Sequence, residues 1–180
     1  MIFATVGTQL PFDRLLLGLE SWAERNAGIP VLAQIGETGR RFRHIETVGQ
    51  LAQADFRAKF DAARLVVAHA GMGTILSAAE IGKPLILMPR RAKFGEHRND
   101  HQQDTAREMA RLSNVTVVED GEALHAALDL ALARGFATPR LAAGGGGETL
   151  APLLDEIRDF VWSGATPVAL GKDALRERAA

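Results

Sequence analysis

The 180-residue chain predicts an α/β fold: a doubly wound, Rossmann-like parallel sheet of about six strands with helices on both faces. Three observations carry this expectation. Short apolar runs bounded by glycine, proline or asparagine alternate with longer segments of helical periodicity as far as Arg134. The first of these runs, Ile2 to Val6, is short, apolar and rich in β-branched residues, as a buried strand is. One junction, Leu65 to Thr74, reads strand, glycine turn, helix, an order that aims unpaired backbone N–H groups and the positive end of a helix at an anion.

Ile2 to Val6 is apolar and breaks at Gly7-Thr8-Gln9 before Pro11, which marks a buried strand and its loop. Asp13 opens a helix with Leu15, Leu16, Leu19, Trp22 and Ala23 on one face, closing near Gly28. Pro30 to Ile35 and His44 to Val48 are the next strands. Leu51 to Arg64 has helical spacing, Leu65 to Ala68 is the fourth strand, and the central helix is expected from about Ile75 to Ile81. Pro84 to Met88 is a fifth strand, Asn99 to Leu112 a helix, Val115 to Val118 a sixth strand and Gly121 to Arg134 a helix. Residues 1–140 are therefore expected to form one Rossmann-like domain. Residues 141–180, with four glycines at 144–147, are expected to form a hinge, a helix and a tail. In such a sheet ligands bind beyond the carboxyl ends of the strands, so the loops after Val6, Ala68 and Met88 should meet in one crevice.

Composition narrows the function. Twenty-one basic against twenty-two acidic residues give a net charge of −1, so no general attraction to nucleic acid is expected. The absence of cysteine excludes disulfides and thiolate ligands and fits a reducing compartment. The N-terminus lacks the basic start of a signal peptide, and no apolar run reaches the roughly 20 residues of a membrane span. Neither G-x-G-x-x-G nor a P-loop pattern occurs, which removes ordinary dinucleotide and P-loop readings.

Three stretches can carry chemistry. Around His69-Ala70-Gly71-Met72-Gly73-Thr74 the glycines would let backbone approach a phosphate, and the Thr74 hydroxyl would cap the helix or donate to the ligand. His69 is either turn-stabilising or a donor to phosphate or sugar. Gly7-Thr8-Gln9 would face a diphosphate across the crevice, and Glu80, late on the central helix, has the acceptors to hold ribose hydroxyls. Pro89 to Gln103 concentrates Arg90, Arg91, His97, Arg98, Asn99, His101 and Gln102, whose donors and acceptors suit the reading of a sugar. His97 and His101 have no third ligand in sight, so no metal site is expected.

Taken together, Gly7-Thr8-Gln9, the His69–Thr74 turn with Glu80, Gly82-Lys83-Pro84 and Asn99-Asp100-His101-Gln102 resemble the C-terminal domain of glycosyltransferase family 28. The likeness runs over roughly residues 1–135 and is nearest to the stand-alone Alg13-like and PssE-like branch. It implies an inverting, metal-independent GT-B transferase domain that binds a UDP-sugar and needs no cofactor. Gly7, Thr8 and Gly71 to Thr74 would face the diphosphate, Glu80 would hold the ribose, His101 and Gln102 would read the sugar, and backbone near Ala52 to Phe56 would meet the uracil. If that sugar is glucuronic acid, Arg90, Arg91 or Arg98 would pair its carboxylate. The acceptor-binding half and general base would belong to a membrane-anchored Alg14-like or PssD-like partner. That partner would recruit the cytoplasmic chain to the inner membrane face to act on a lipid-linked saccharide in exopolysaccharide synthesis. A non-catalytic nucleotide-sugar-binding protein is the alternative.

Overall fold

The computed structural model describes residues 1–8 and 10–136. Gln9 and the expected hinge and tail at 141–180 lie outside the described residues. In chain order the elements are β1 (Ile2–Thr5), α1 (Asp13–Arg25), β2 (Val31–Gln34), β3 (Glu46–Val48), α2 (Gln53–Ala62) and β4 (Leu65–Ala68). They continue with α3 (Met72–Glu80), β5 (Leu85–Leu87), a 3-10 turn (Ala92–Phe94), α4 (His101–Met109), β6 (Val115–Val117) and α5 (Gly121–Ala133). The strands form one parallel sheet in the order β3-β2-β1-β4-β5-β6, so the direction of winding reverses between β1 and β4. Thr5 lies opposite Gln34 and Ala68, and Ala68 opposite Leu87, which brings the carboxyl ends of four strands to a common rim.

Alternation along β1 shows how the two layers are sorted. Ile2 and Ala4 join Leu15, Leu16, Leu19 and Trp22 of α1 and Leu124 and Leu128 of α5 in one core. Phe3 points to the other face, edge-on to Phe56 of α2 at 5.4 Å, and Phe56 stacks on Phe60 at 5.9 Å. Trp22 also ties the two helices of its layer together, its Nε1–H donating to Asp129 Oδ1 at 2.7 Å.

One boundary differs from the sequence reading in a way that matters. The central helix starts at Met72, not Ile75, because Gly71 adopts an extended conformation (φ −96°, ψ 130°) and serves as the N-cap itself. Thr74 is therefore inside the first turn and does not cap it. Truncating the fully buried Trp22 to Ala should cost about 3–5 kcal/mol by urea unfolding, a large part of a typical domain's stability. A cost below about 1 kcal/mol would contradict the packing described.

Candidate functional site

The turn after β1 and the turn after β4 flank the point where the winding reverses, and the imidazole of His69 fills the space between them. A Cβ on Gly7 would lie 2.6 Å from His69 Cε1, and one on Gly71 only 2.3 Å from His69 Nε2. Both glycines are thus required by the histidine ring. Gly7 has a second requirement, since its φ of 78° is a left-handed value. The Gly7 N–H is turned back to Thr5 Oγ1 at 3.2 Å and that of Gly71 to the His69 carbonyl at 2.8 Å, so neither amide faces the crevice.

The donors left for an anion are those of the α3 first turn. No side chain caps this helix, and the N–H groups of Met72, Gly73 and Thr74 have no acceptor within it. Gly73 is exposed and Met72 and Thr74 are partly so, whereas Ala70 is buried beneath the turn. Thr8 is exposed beside them.

His69 itself is electrically quiet. Burial, with the positive charge of Arg90 and the nearby His97 acting in the same direction, lowers its pKa from 6.5 to about 4; the Thr5 backbone opposes this. Its Nδ1 is buried with no hydrogen-bond partner among the described residues, which suits a neutral ring better than a charged one. The ring therefore braces the two turns as a neutral spacer, the turn-stabilising role of the two considered. Arg90, whose N–H is held by Gln102 Oε1 at 3.1 Å and whose guanidinium donates to the Val6 carbonyl at 2.7 Å, ties the third segment to the same rim.

In that segment, Asn99 Oδ1 lies between the Nδ1 atoms of His97, at 3.2 Å, and His101. The two rings meet edge-to-face at 4.6 Å. His101 opens α4 and is exposed; Gln102, the next residue, is buried, with Oε1 accepting the Arg90 N–H at 3.1 Å. Asp100 accepts from the Ala92 N–H at 2.8 Å, and this bond holds its carboxyl below the usual range. Among the described residues no group of three or more His, Asp or Glu is placed to hold a metal ion.

Two expectations need correction. Arg90 is only 3% exposed and its guanidinium is bonded to four backbone carbonyls, so it is not presented to a ligand carboxylate. Glu80 is the last residue of α3, about 12 Å along the axis from the first turn at 1.5 Å per residue. There it faces Arg57 at 3.8 Å, a side chain that also binds Asp61 at 2.9 Å, and it does not join the other candidates at the rim.

Other contributors were not singled out from the sequence. Gln34 and Thr5 are buried polar residues at strand ends, and Gln34 Oε1 accepts the Leu51 N–H at 3.3 Å, fixing the loop that leads into α2. A polar residue closing an otherwise apolar strand was the available signal. Arg14 grips Glu96 through two bonds of 2.8 Å and the Pro89 carbonyl at 2.8 Å, locking the 89–96 loop. Next to the Gly7 turn a cleft of about 490 Å³ opens between the loops after β1, β2 and β3, lined by Thr8, Gly36, Gly49 and Gln50 among others. Its size is that of a small-molecule pocket, and it adjoins the segment expected to meet a nucleobase.

Two measurements check this geometry. Gly71→Ala should cost about 1–3 kcal/mol through overpacking but little in a His69→Ala background, because the Gly71 backbone angles suit any residue. Additive costs in the double variant would contradict the wedge. The unfolded chain protonates His69 near 6.5 and the folded one near 4. This contribution to stability is intact above pH 6.5, is lost as pH falls toward 4, and levels off below. An NMR titration should place His69 well below an exposed histidine; an ordinary midpoint would contradict the burial.

With the site in place, its relatives can be named. Residues 1–138 match the glycosyltransferase family 28 C-terminal domain. Over 69 residues the chain is 39% identical to the UDP-N-acetylglucosamine--N-acetylmuramyl-(pentapeptide) pyrophosphoryl-undecaprenol N-acetylglucosamine transferase of Solibacter usitatus (strain Ellin6076). That stretch covers 38% of this chain and 18% of that enzyme. Among solved structures, Acinetobacter baumannii MurG superposes with a TM-score of 0.55 at 18% identity, over 76% of this chain and 42% of MurG. An NMR solution structure of ALG13 superposes with a TM-score of 0.56 at 17% identity, over 85% of this chain and 94% of ALG13. The structural likenesses establish a shared fold, and the match over residues 1–138 establishes more: the chain belongs to the glycosyltransferase family 28 C-terminal domain family.

Proposed function

We propose that the chain is the donor-binding subunit of an inverting, metal-independent GT-B glycosyltransferase, holding a UDP-sugar at the rim between β1 and β4. The observation that carries this reading is the meeting of three pieces: the Gly7-Thr8 turn, the uncapped start of α3 and the His97–Gln102 segment. The diphosphate lies against the N–H groups of Met72, Gly73 and Thr74, where the helix dipole opposes the charge that develops on departing UDP. Uracil occupies the cleft beside Gly49 and Gln50. The ribose runs along the first turn of α3, past Thr74, and the sugar meets His101.

The remaining chemistry needs a second polypeptide. The acceptor hydroxyl loses its proton to a base on an Alg14-like or PssD-like subunit anchored in the membrane. It then attacks the anomeric carbon from the face opposite UDP, which inverts the configuration. The likeness to ALG13 over 94% of that protein supports the fold of a donor domain. No helix among the described residues is long and apolar enough to cross a membrane; the partner recruits the chain to the cytoplasmic face. The acceptor is a lipid-linked saccharide of exopolysaccharide synthesis.

For a glucuronic acid donor, the geometry favours Arg98. It is exposed and unpaired among the described residues, whereas Arg90 is enclosed and Arg91 pairs with Glu119. Calorimetric titration should show micromolar to millimolar UDP binding in the presence of EDTA, with Glu80→Ala changing the affinity less than about twofold. Binding that requires a divalent metal, or none at all, would overturn the reading. Transfer should appear only when the membrane partner is added, and full-rate transfer by the purified chain would remove the two-subunit proposal.

A further inference from the structure

Arg90 belongs to the loop after β5, yet its side chain reaches back under the first turn of the chain. Nη1 donates to the carbonyls of Pro11 at 2.7 Å and Glu96 at 3.0 Å. Nη2 donates to those of Val6 at 2.7 Å and Leu10 at 2.6 Å. The guanidinium carbon lies 4.6 Å from the centre of the Phe12 ring, and the residue's own N–H is held by Gln102. One residue therefore bonds the turn that follows β1, the 90–96 loop and the start of α4.

This use of charge is costly as a device for stability alone. Arg90 is 3% exposed and its guanidinium meets neutral carbonyls, while the nearby carboxylate of Glu96 is engaged by Arg14. A buried cation without a carboxylate of its own forgoes the strongest compensation for its desolvation. What the four bonds supply is direction, because a planar fork fixes several acceptors at set angles and a lysine ammonium does not. Val6, whose carbonyl is held, is followed immediately by Gly7, whose N–H is fixed on Thr5. The turn is thereby defined on both sides.

We infer that Arg90 is a positioning residue for the donor: its guanidinium ties the turn after β1 to Glu96 while its backbone N–H holds Gln102, so the Gly7-Thr8 turn and the segment from Glu96 to Gln102 keep one spacing and meet the same UDP-sugar. The inference rests on the donor-binding reading above. It assigns Arg90 no contact with the ligand.

The test is rescue of Arg90→Ala by free guanidinium, which fits the space the side chain leaves. UDP affinity, read by calorimetry, should fall at least about tenfold in Arg90→Ala. It should recover in low, non-denaturing guanidinium chloride but not in sodium chloride of equal ionic strength. Arg90→Lys, which keeps the charge and the apolar stem, should also bind more weakly, and it serves if the alanine variant does not fold. A folded Arg90→Ala with wild-type affinity, a weakened one that guanidinium fails to restore, or an Arg90→Lys that binds as tightly as wild type would each overturn the inference. Failure of the wild-type chain to bind UDP would instead remove the functional reading beneath it.

Discussion

The space between the first and fourth strands is filled by one imidazole, and the shape of the rim follows from it. His69 occupies volume that any side chain at Gly7 or Gly71 would need, with would-be Cβ contacts of 2.6 and 2.3 Å. The ring can stay there only if neutral, since an unpaired buried polar atom costs about 1–3 kcal/mol and a charge more. Arg90 and His97 reinforce that state by making a second positive charge unwelcome. Two sharp turns, a bare helix start and a neutral spacer are thus consequences of one packing arrangement.

The same arrangement leaves the rim poised for an anion, with the carboxylates beside it already engaged. Glu96 is bound by Arg14, and Asp100 by the Ala92 N–H, so nearby carboxylates are engaged by donors of their own. The field that remains comes from the α3 and α4 starts, the enclosed Arg90 charge and polar side chains. Each helix end contributes on the order of 0.3–1 kcal/mol toward a negative group near its first turn. Several such modest terms, fixed in place before a ligand arrives, suit a leaving group whose charge grows during reaction.

The sheet was legible because most of its strands are short, largely apolar runs such as Leu65 to Ala68, set between segments of helical spacing; β3, Glu46–Val48, is mostly exposed and was legible only by its place in that alternation. The helix beginning at the glycine turn was legible to within one turn. Glu80, late on that helix in either reading, was assigned to a ribose from its acceptors, and its approach to Arg57 of another helix has no local signal. Arg90 was read as a ligand group because a guanidinium in a polar loop can pair a sugar carboxylate bidentately. Three of its four acceptors lie about eighty residues away in the chain, at Val6, Leu10 and Pro11, and no local pattern announces a contact of that range. The Arg14–Glu96 pair was hidden for the same reason.

The central claim is that three separated segments form one donor pocket at the switch point of the sheet. Amide chemical-shift mapping on the full chain during titration with UDP tests it most directly. The account predicts that the shifts concentrate on Gly7, Thr8, Met72 to Thr74, Gly49 to Leu51 and His97 to Gln102, with Glu80 and Lys83 unmoved. Shifts gathered at the opposite end of α3, or confined to one of these segments, would contradict it.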